Sequence, residues 1–227
     1  MISDDGEETL RRVPSLASLD SASLRRLARG GGIIELPADA VVIEQGGHPE
    51  YLHVLLSGQV GLTARAKGRA AVIEVLRPVD QFVLAAVLSD APYLLGARTL
   101  APSRLLRLPA ASLRAAVEAE PRVAAAMINA LSQHYRMLVR QVKDLKLRSS
   151  TERLAAYLLI LAREQFTPGR VHLPFDKRTL AGRLGMTPES LSRAFAALRA
   201  LGIETHGAYV SIADIEALIR LAALDLF

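Results

Sequence analysis

Apolar positions along the chain change their period twice. From about Gly32 to Leu108, β-branched clusters such as Val41-Val42-Ile43 and Val72-Ile73-Glu74-Val75 are punctuated by Gly46-Gly47, Gly58, Gly61, Gly68 and Pro78. That spacing predicts many short strands forming a β-sandwich or roll. Ahead of it, Ser21 to Ala28 predicts a short helix, with Ser21 or Asp20 capping and Leu24 and Leu27 facing inward. From Ser112 to about Leu147 the period becomes helical, and the apolar positions fall into two interleaved sets seven residues apart. One set is Ile128, Tyr135 and Val142; the other is Ala124, Leu131, Leu138 and Leu145. They alternate by four and three residues, the a/d seam of a coiled coil, for about three heptads. Two copies of this helix are expected to zip together. The core helix of a monomer would carry a wider apolar stripe, whereas Arg136, Arg140, Gln141, Lys143, Asp144 and Lys146 keep the other faces polar.

A second unit opens at Ser149, which with Glu152 has the spacing of a capping box ahead of Leu154-Ala155-Ala156-Tyr157-Leu158-Leu159. Thr167-Pro168-Gly169-Arg170 reads as a turn and Val171-His172-Leu173-Pro174-Phe175 as a short alternating strand. Residues Asp176 to Arg193 then spell two capped helices around one tight turn. Asp176 caps the first, Leu180 and Leu184 lie on its buried side, and Gly185 supplies the positive φ that ends it. Thr187 caps the second, and Pro188 fits a first turn that needs no amide donor. Gly202 to Ile212 follows as a hairpin turning at His206-Gly207. This order is that of a winged helix-turn-helix.

The second helix of that pair has two faces. Leu191, Phe195 and Leu198 form an apolar stripe, while Glu189, Ser192, Arg193 and Ala196 form a stripe free to enter a major groove. Arginine offers a fork of two donors to guanine O6 and N7, glutamate accepts from cytosine N4, and serine serves base or phosphate. Thr187 and Arg199 are placed for phosphates.

Composition narrows the alternatives. The 227 residues accommodate two compact domains, and the net charge of +5 suits a nucleic-acid partner. There is no cysteine, which removes disulfides, thiolate zinc sites, thiol switches and cysteine-ligated iron-sulfur clusters together. Apolar runs such as Leu154–Ala162 and Leu221–Leu224 fall far short of the roughly 20 residues of a membrane span, so no membrane partner is expected. The start, Met1-Ile2-Ser3-Asp4-Asp5-Gly6-Glu7-Glu8, is acidic and lacks the segments of a secretory signal, which predicts a cytoplasmic protein. Phosphate-cradling glycine loops, metal-ligand clusters and nucleophile elbows are missing from the sequence, and no enzyme is expected.

With these motifs in order, the chain resembles the CRP/FNR superfamily of transcription regulators over nearly its whole length. In the β region the matching stretch runs Gln45-Gly46-Gly47-His48-Pro49-Glu50-Tyr51-Leu52-His53-Val54-Leu55-Leu56-Ser57-Gly58-Gln59-Val60. In the helix pair, Glu189-Ser190-Leu191-Ser192-Arg193 is similar to the Glu-x-x-Ser-Arg pattern of the FNR and DNR branches, and Pro188 stands where the cAMP-responsive branch has arginine. The resemblance implies an α+β fold. Residues 1–111 would be an N-terminal β-roll sensor domain like those that bind cyclic nucleotides, 112–148 a dimerisation helix, and 149–227 a C-terminal winged helix-turn-helix. It further implies a homodimer on double-stranded DNA, reading a TTGAT-like half-site through Glu189, Ser192 and Arg193 in a palindrome such as TTGAT-N4-ATCAA, with RNA polymerase as a partner.

The effector is where the family pattern breaks. Cyclic-nucleotide binders carry a Gly-Glu pair and then Arg-Ser for phosphate and ribose. This chain has Gln81-Phe82-Val83-Leu84-Ala85-Ala86-Val87-Leu88 and then Tyr93-Leu94-Leu95-Gly96-Ala97-Arg98-Thr99, which argues against cAMP. Arg98 is a lone arginine on a strand. Oxygen sensing through an iron-sulfur cluster is excluded with the cysteines. The resemblance leaves a haem-dependent type, similar to the nitric-oxide and carbon-monoxide sensors of the superfamily. The apolar stretch Phe82 to Leu88 would line its cavity, and His48, His53, His134 and the methionines are the ligand candidates. A regulator whose β-roll is degenerate, acting without an effector or under a protein partner, is the other reading.

Overall fold

The computed structural model describes residues 4–66, 69–167 and 169–222, so the expectations resting on Met1 to Ser3, Gly68, Pro168 and Leu224 lie outside the described residues. Two compact units divide the chain, Met1–Met137 and Leu138–Phe227.

The first unit begins with α1 (Asp4–Arg11) and α2 (Ser21–Ala28) and continues through eight strands. These are β1 (Gly32–Leu36), β2 (Val41–Ile43), β3 (Tyr51–Ser57), β4 (Val60–Ala66), β5 (Arg69–Leu76), β6 (Gln81–Phe82), β7 (Gly96–Thr99) and β8 (Ser103–Pro109). They pair antiparallel in two four-stranded sheets, in the orders β1-β8-β3-β6 and β2-β7-β4-β5. Strand β3 shows why the period-2 signal is weak here. Its Leu52 and Val54 join Leu106 and Leu108 in a core with the helices, whereas Leu55 joins Leu105, Val60, Leu62 and Phe82 in a core shared by the two sheets. A strand covered on both faces reads as a continuous apolar run. The cap of α2 is Asp20, whose carboxylate accepts from the Ser23 amide at 2.8 Å, and Leu24 and Leu27 are buried as expected.

In this unit three elements depart from the sequence expectations. The N-terminal α1 was not anticipated; Leu10, Val13, Leu16 and Leu19 bury themselves in the helical core of this unit. Leu84–Ser89 forms a short helix, α3, entered through Val83 at φ 63°. Its Leu84 and Val87 are packed in the same core as filling, and of Phe82 to Leu88 only Phe82 lines one of the cavities described below. The helix expected over Ser112–Leu147 is two: α4 (Ala110–Ala119) and α5 (Pro121–Leu147), separated by Glu120 in an extended conformation. The cause is Pro121, which excludes its predecessor from helical backbone and itself serves as a first helical residue.

The second unit holds α6 (Ser150–Glu164), β9 (Arg170–His172), α7 (Lys177–Arg183), α8 (Pro188–Arg199), β10 (Ile203–His206), β11 (Tyr209–Ile212) and α9 (Ile215–Ala222). The capping box of α6 is complete: the Ser149 amide donates to the Glu152 carboxylate at 2.6 Å, and the Glu152 amide to the Ser149 hydroxyl at 3.3 Å. Strand β9 ends at His172 rather than Phe175, ahead of Pro174, and joins the hairpin as its third strand in the order β10-β11-β9. One core unites Leu154, Leu158, Val171, Leu180, Leu191, Phe195, Leu198, Val210 and Leu218.

Inside the first unit, His53 is 5 % exposed, lies opposite Arg107 in the β3–β8 register and stacks on Phe82 at 5.2 Å. Its Nδ1 has no hydrogen-bond partner. Burial, and after it the neighbouring Arg107 cation, pushes the imidazole down to about 4 from 6.5. The unfolded chain therefore takes up a proton between these values that the folded chain refuses. The stabilisation is complete above about pH 6.5 and is lost as pH falls through 4, on the order of 3 kcal/mol in all. In urea titrations across this range, His53→Phe is expected to lose that component of the pH dependence; an unchanged dependence would show that His53 is not its source.

Candidate nucleic-acid interface

Each residue of the exposed α8 face is positioned by a local rule. Asp176 caps α7, accepting from the Thr179 amide at 2.8 Å, and α7 buries Leu180 and Ala181 while Leu184 packs half-buried against the same core. Gly185 then takes φ +61°, which turns the chain. Thr187 caps α8 by accepting from the Ser190 amide at 3.2 Å, and Pro188 opens the helix. Burial of Leu191, Ala194, Phe195 and Leu198 fixes the rotation of α8 about its axis. Glu189, Ser192, Arg193, Ala196 and Arg199 are left exposed, with Thr187 beside them at the helix start.

The polar side chains of this face are held among themselves. Arg193 Nη2 donates to the Ser190 hydroxyl at 2.9 Å, and Ser192 Oγ donates to the Pro188 carbonyl at 3.0 Å. The Thr187 side chain, then the Glu189 amide, hydrogen-bond the Glu189 carboxylate and hold it below its usual range, with Arg193 adding to the effect. Glu189 stays ionised at neutral pH. A row of one acceptor, one hydroxyl and one guanidinium on a helix with a buried back has the chemistry of base-edge readout.

The three-stranded sheet adds residues that the sequence reading missed. On its exposed face Tyr209 carries the Arg170 guanidinium at 4.1 Å over its ring and the His172 ring at 5.0 Å. The polar-apolar-polar order of Arg170, Val171 and His172 was the available signal. It marked an exposed face, but not the pairing with β11.

Along α5 the proposed seam residues separate into two groups. Ile128 (62 %), Tyr135 (68 %), Leu138 (46 %), Val142 (51 %) and Leu145 (49 %) are exposed large apolar side chains. Ala124 and Leu131 are half-buried, and Leu131 packs on the core of its own unit. Val139, also exposed, joins the stripe without having been anticipated. Leu145 has a further neighbour, because a Cβ at Gly185 would collide with its Cδ2.

Among the described residues, two of the cavities lie in the first unit. One of about 510 Å³ is lined by residues that include Ile43, Thr63, Arg65, Tyr93, Leu94 and Arg98, so Arg98 shares its surroundings with a second arginine, and its Nη1 donates to the Asp39 carbonyl at 2.6 Å. The other, about 240 Å³, is lined by residues that include Ser15, Glu74, Gln81, His134 and Met137. Of the haem-ligand candidates only His134 and Met137 share a cavity: the larger of these two has no histidine, methionine or cysteine in its wall, and His48 and His53 line neither. The smaller one, which does hold His134 and Met137, is below the roughly 300 Å³ at which ligand pockets begin. The residues present do not fit a haem. Among the described residues there is also no group of three or more histidine, aspartate or glutamate side chains arranged for a metal, and no helix long and apolar enough to cross a membrane.

Comparison with known proteins agrees with this geometry. Residues 33–120 match the cyclic nucleotide-binding domain family, and residues 152–221 match the Crp-like helix-turn-helix domain family. A CRP-like cAMP-activated global transcriptional regulator of Mycobacterium tuberculosis is 24 % identical over 222 residues, covering 95 % of this chain and 99 % of the relative. The structure of DNR from Pseudomonas aeruginosa is 26 % identical with a TM-score of 0.54, covering 97 % and 99 % of the two chains. FixK2 from Bradyrhizobium japonicum, 22 % identical and covering 86 % and 98 %, shares the fold with a TM-score of 0.73. With a nucleotide-binding-type β domain, a long helix and a Crp-like helix-turn-helix in this order, the chain belongs to the CRP/FNR family of transcription regulators.

Proposed function

We propose that the protein is a homodimer that reads an inverted repeat of a TTGAT-like half-site, in the manner of the FNR and DNR branches, inserting one α8 of each protomer into successive major grooves. The observation that carries this reading is the division of α8: Leu191, Phe195 and Leu198 are buried and Glu189, Ser192 and Arg193 are exposed in the Glu-x-x-Ser-Arg spacing. The apolar stripe of α5 supports the dimer, since exposed side chains of this size in a row are covered when a second copy supplies the facing row. Thr187 and Arg199 contact phosphates, and RNA polymerase is the partner through which the bound protein acts on transcription. No catalytic role is assigned to any residue.

An effector held in the β-roll shifts the α5 pair and so the two α8 helices. That effector is not cAMP. Neither Gln81–Leu88 nor Tyr93–Thr99 carries the Gly-Glu and Arg-Ser pairs that hold phosphate and ribose in cyclic-nucleotide binders, even though the mycobacterial relative is cAMP-activated. A roll that acts with no small ligand, under a protein partner, is the second reading, and the buried packing of Leu84 and Val87 favours it.

Three outcomes test these statements. Arg193→Ala is expected to cost about 1–3 kcal/mol on the inverted repeat while sparing random DNA, measured by fluorescence anisotropy; equal losses on both would make Arg193 a phosphate contact. Replacing Leu138 and Val142 together by glutamate should convert the protein to a monomer in light scattering; a variant that stays dimeric would remove the seam. In calorimetry, cAMP is expected to give no saturable heat, and a measured stoichiometric isotherm would return it as the effector.

A further inference from the structure

Arg153, in the first turn of α6, directs its guanidinium at three backbone carbonyls and, among the described residues, at no carboxylate. Nη1 donates to Arg148 O at 2.6 Å, Nε to Leu184 O at 2.9 Å, and Nη2 reaches Gly185 O at 3.5 Å. Arg148 is the residue immediately beyond α5, Leu184 is the cap residue that ends α7, and Gly185 is the glycine of the turn before α8. The last carbonyls of a helix lack intrahelical donors and carry the negative end of its dipole, so a cation lying between two such ends satisfies both. On the other side of the same turn Leu145 of α5 rests where Gly185 has no side chain. Arg153 itself is half-buried, which strengthens these charge-assisted bonds.

We infer that Arg153 is a positioning residue for DNA recognition: it ties the turn of the helix-turn-helix to the end of α5 and thereby sets the separation of the two α8 helices in a dimer. It touches no base and does not alter the reading face of either helix. Only arginine suits this place, because a planar fork reaches carbonyls on two segments at once whereas the ammonium of lysine is a single point. The inference rests on the dimeric, DNA-reading function proposed above.

The test compares full-length wild type, Arg153→Lys and Arg153→Met by fluorescence anisotropy on three kinds of duplex. These are the TTGAT-N4-ATCAA repeat, the same repeat with its spacer lengthened or shortened by one base pair, and a single half-site. In Arg153→Met the half-site affinity should remain within about twofold of wild type, which also shows that the domain is folded. Its affinity for the correctly spaced repeat should fall about tenfold, equivalent to about 1.4 kcal/mol, and its discrimination between spacers should shrink. Arg153→Lys should lie between the two. Equal losses on half-site and repeat, or undiminished spacer discrimination, would overturn the inference. Wild type that prefers no inverted repeat would overturn the dimeric DNA reading itself, and this inference with it.

Discussion

Water does not tolerate the stripe on α5 without consequence. Ile128, Tyr135, Leu138, Val142 and Leu145 stand exposed along one side of a helix of 27 residues. Burying such side chains stabilises by roughly 25 cal/mol for each Å² of apolar surface removed from water, so the stripe seeks a partner surface of the same shape. In the proposed dimer a second α5 provides one. The rest of the proposed function depends on that pairing, because two-fold symmetry turns one reading helix into two and matches a palindromic site. The opposite side of the same helix, with Val123, Ala126 and Met127, is committed to the core of its own unit. An effector that moved one side of α5 would therefore be felt on the other.

Recognition by α8 follows a similar logic on a smaller scale. The helix is oriented by its apolar back and started by Thr187, and the Glu189 carboxylate is kept ionised by its neighbours. The contacts that hold Arg193 to Ser190 and Glu189 to Thr187 are exposed and weak, so they can be exchanged for base edges without a large loss. In the proposed function, net positive charge draws the protein to DNA of any sequence and the face of α8 provides the sequence preference.

Features decided within a few residues were legible in the sequence. Asp20, Ser149 with Glu152, Asp176 and Thr187 all cap the helices read from them, because a cap is a hydrogen bond across three positions. The winged helix-turn-helix was legible for the same reason: Gly185, Pro188 and Gly207 each mark a backbone need. Features decided by distant partners were not. Helix α3 packs because its Leu84 and Val87 meet a core built from elsewhere in the chain, and β9 becomes part of the wing sheet only through β11, about forty residues later in the chain. The division at Pro121 carried a local signal, but the unbroken apolar periodicity around it pointed to a single helix. The haem expectation gains no support because a ligand set and a cavity of its size are matters of convergence in space, which a list of histidines does not contain: only His134 and Met137 share a cavity, and it is small.

The central claim, a symmetric pair of α8 helices on an inverted repeat, is tested most directly by hydroxyl-radical footprinting of the TTGAT-N4-ATCAA duplex. The account predicts two protected patches on one face of the DNA, related by the two-fold axis of the repeat and centred about one helical turn apart. A single patch, or protection that ignores the repeat, would contradict it.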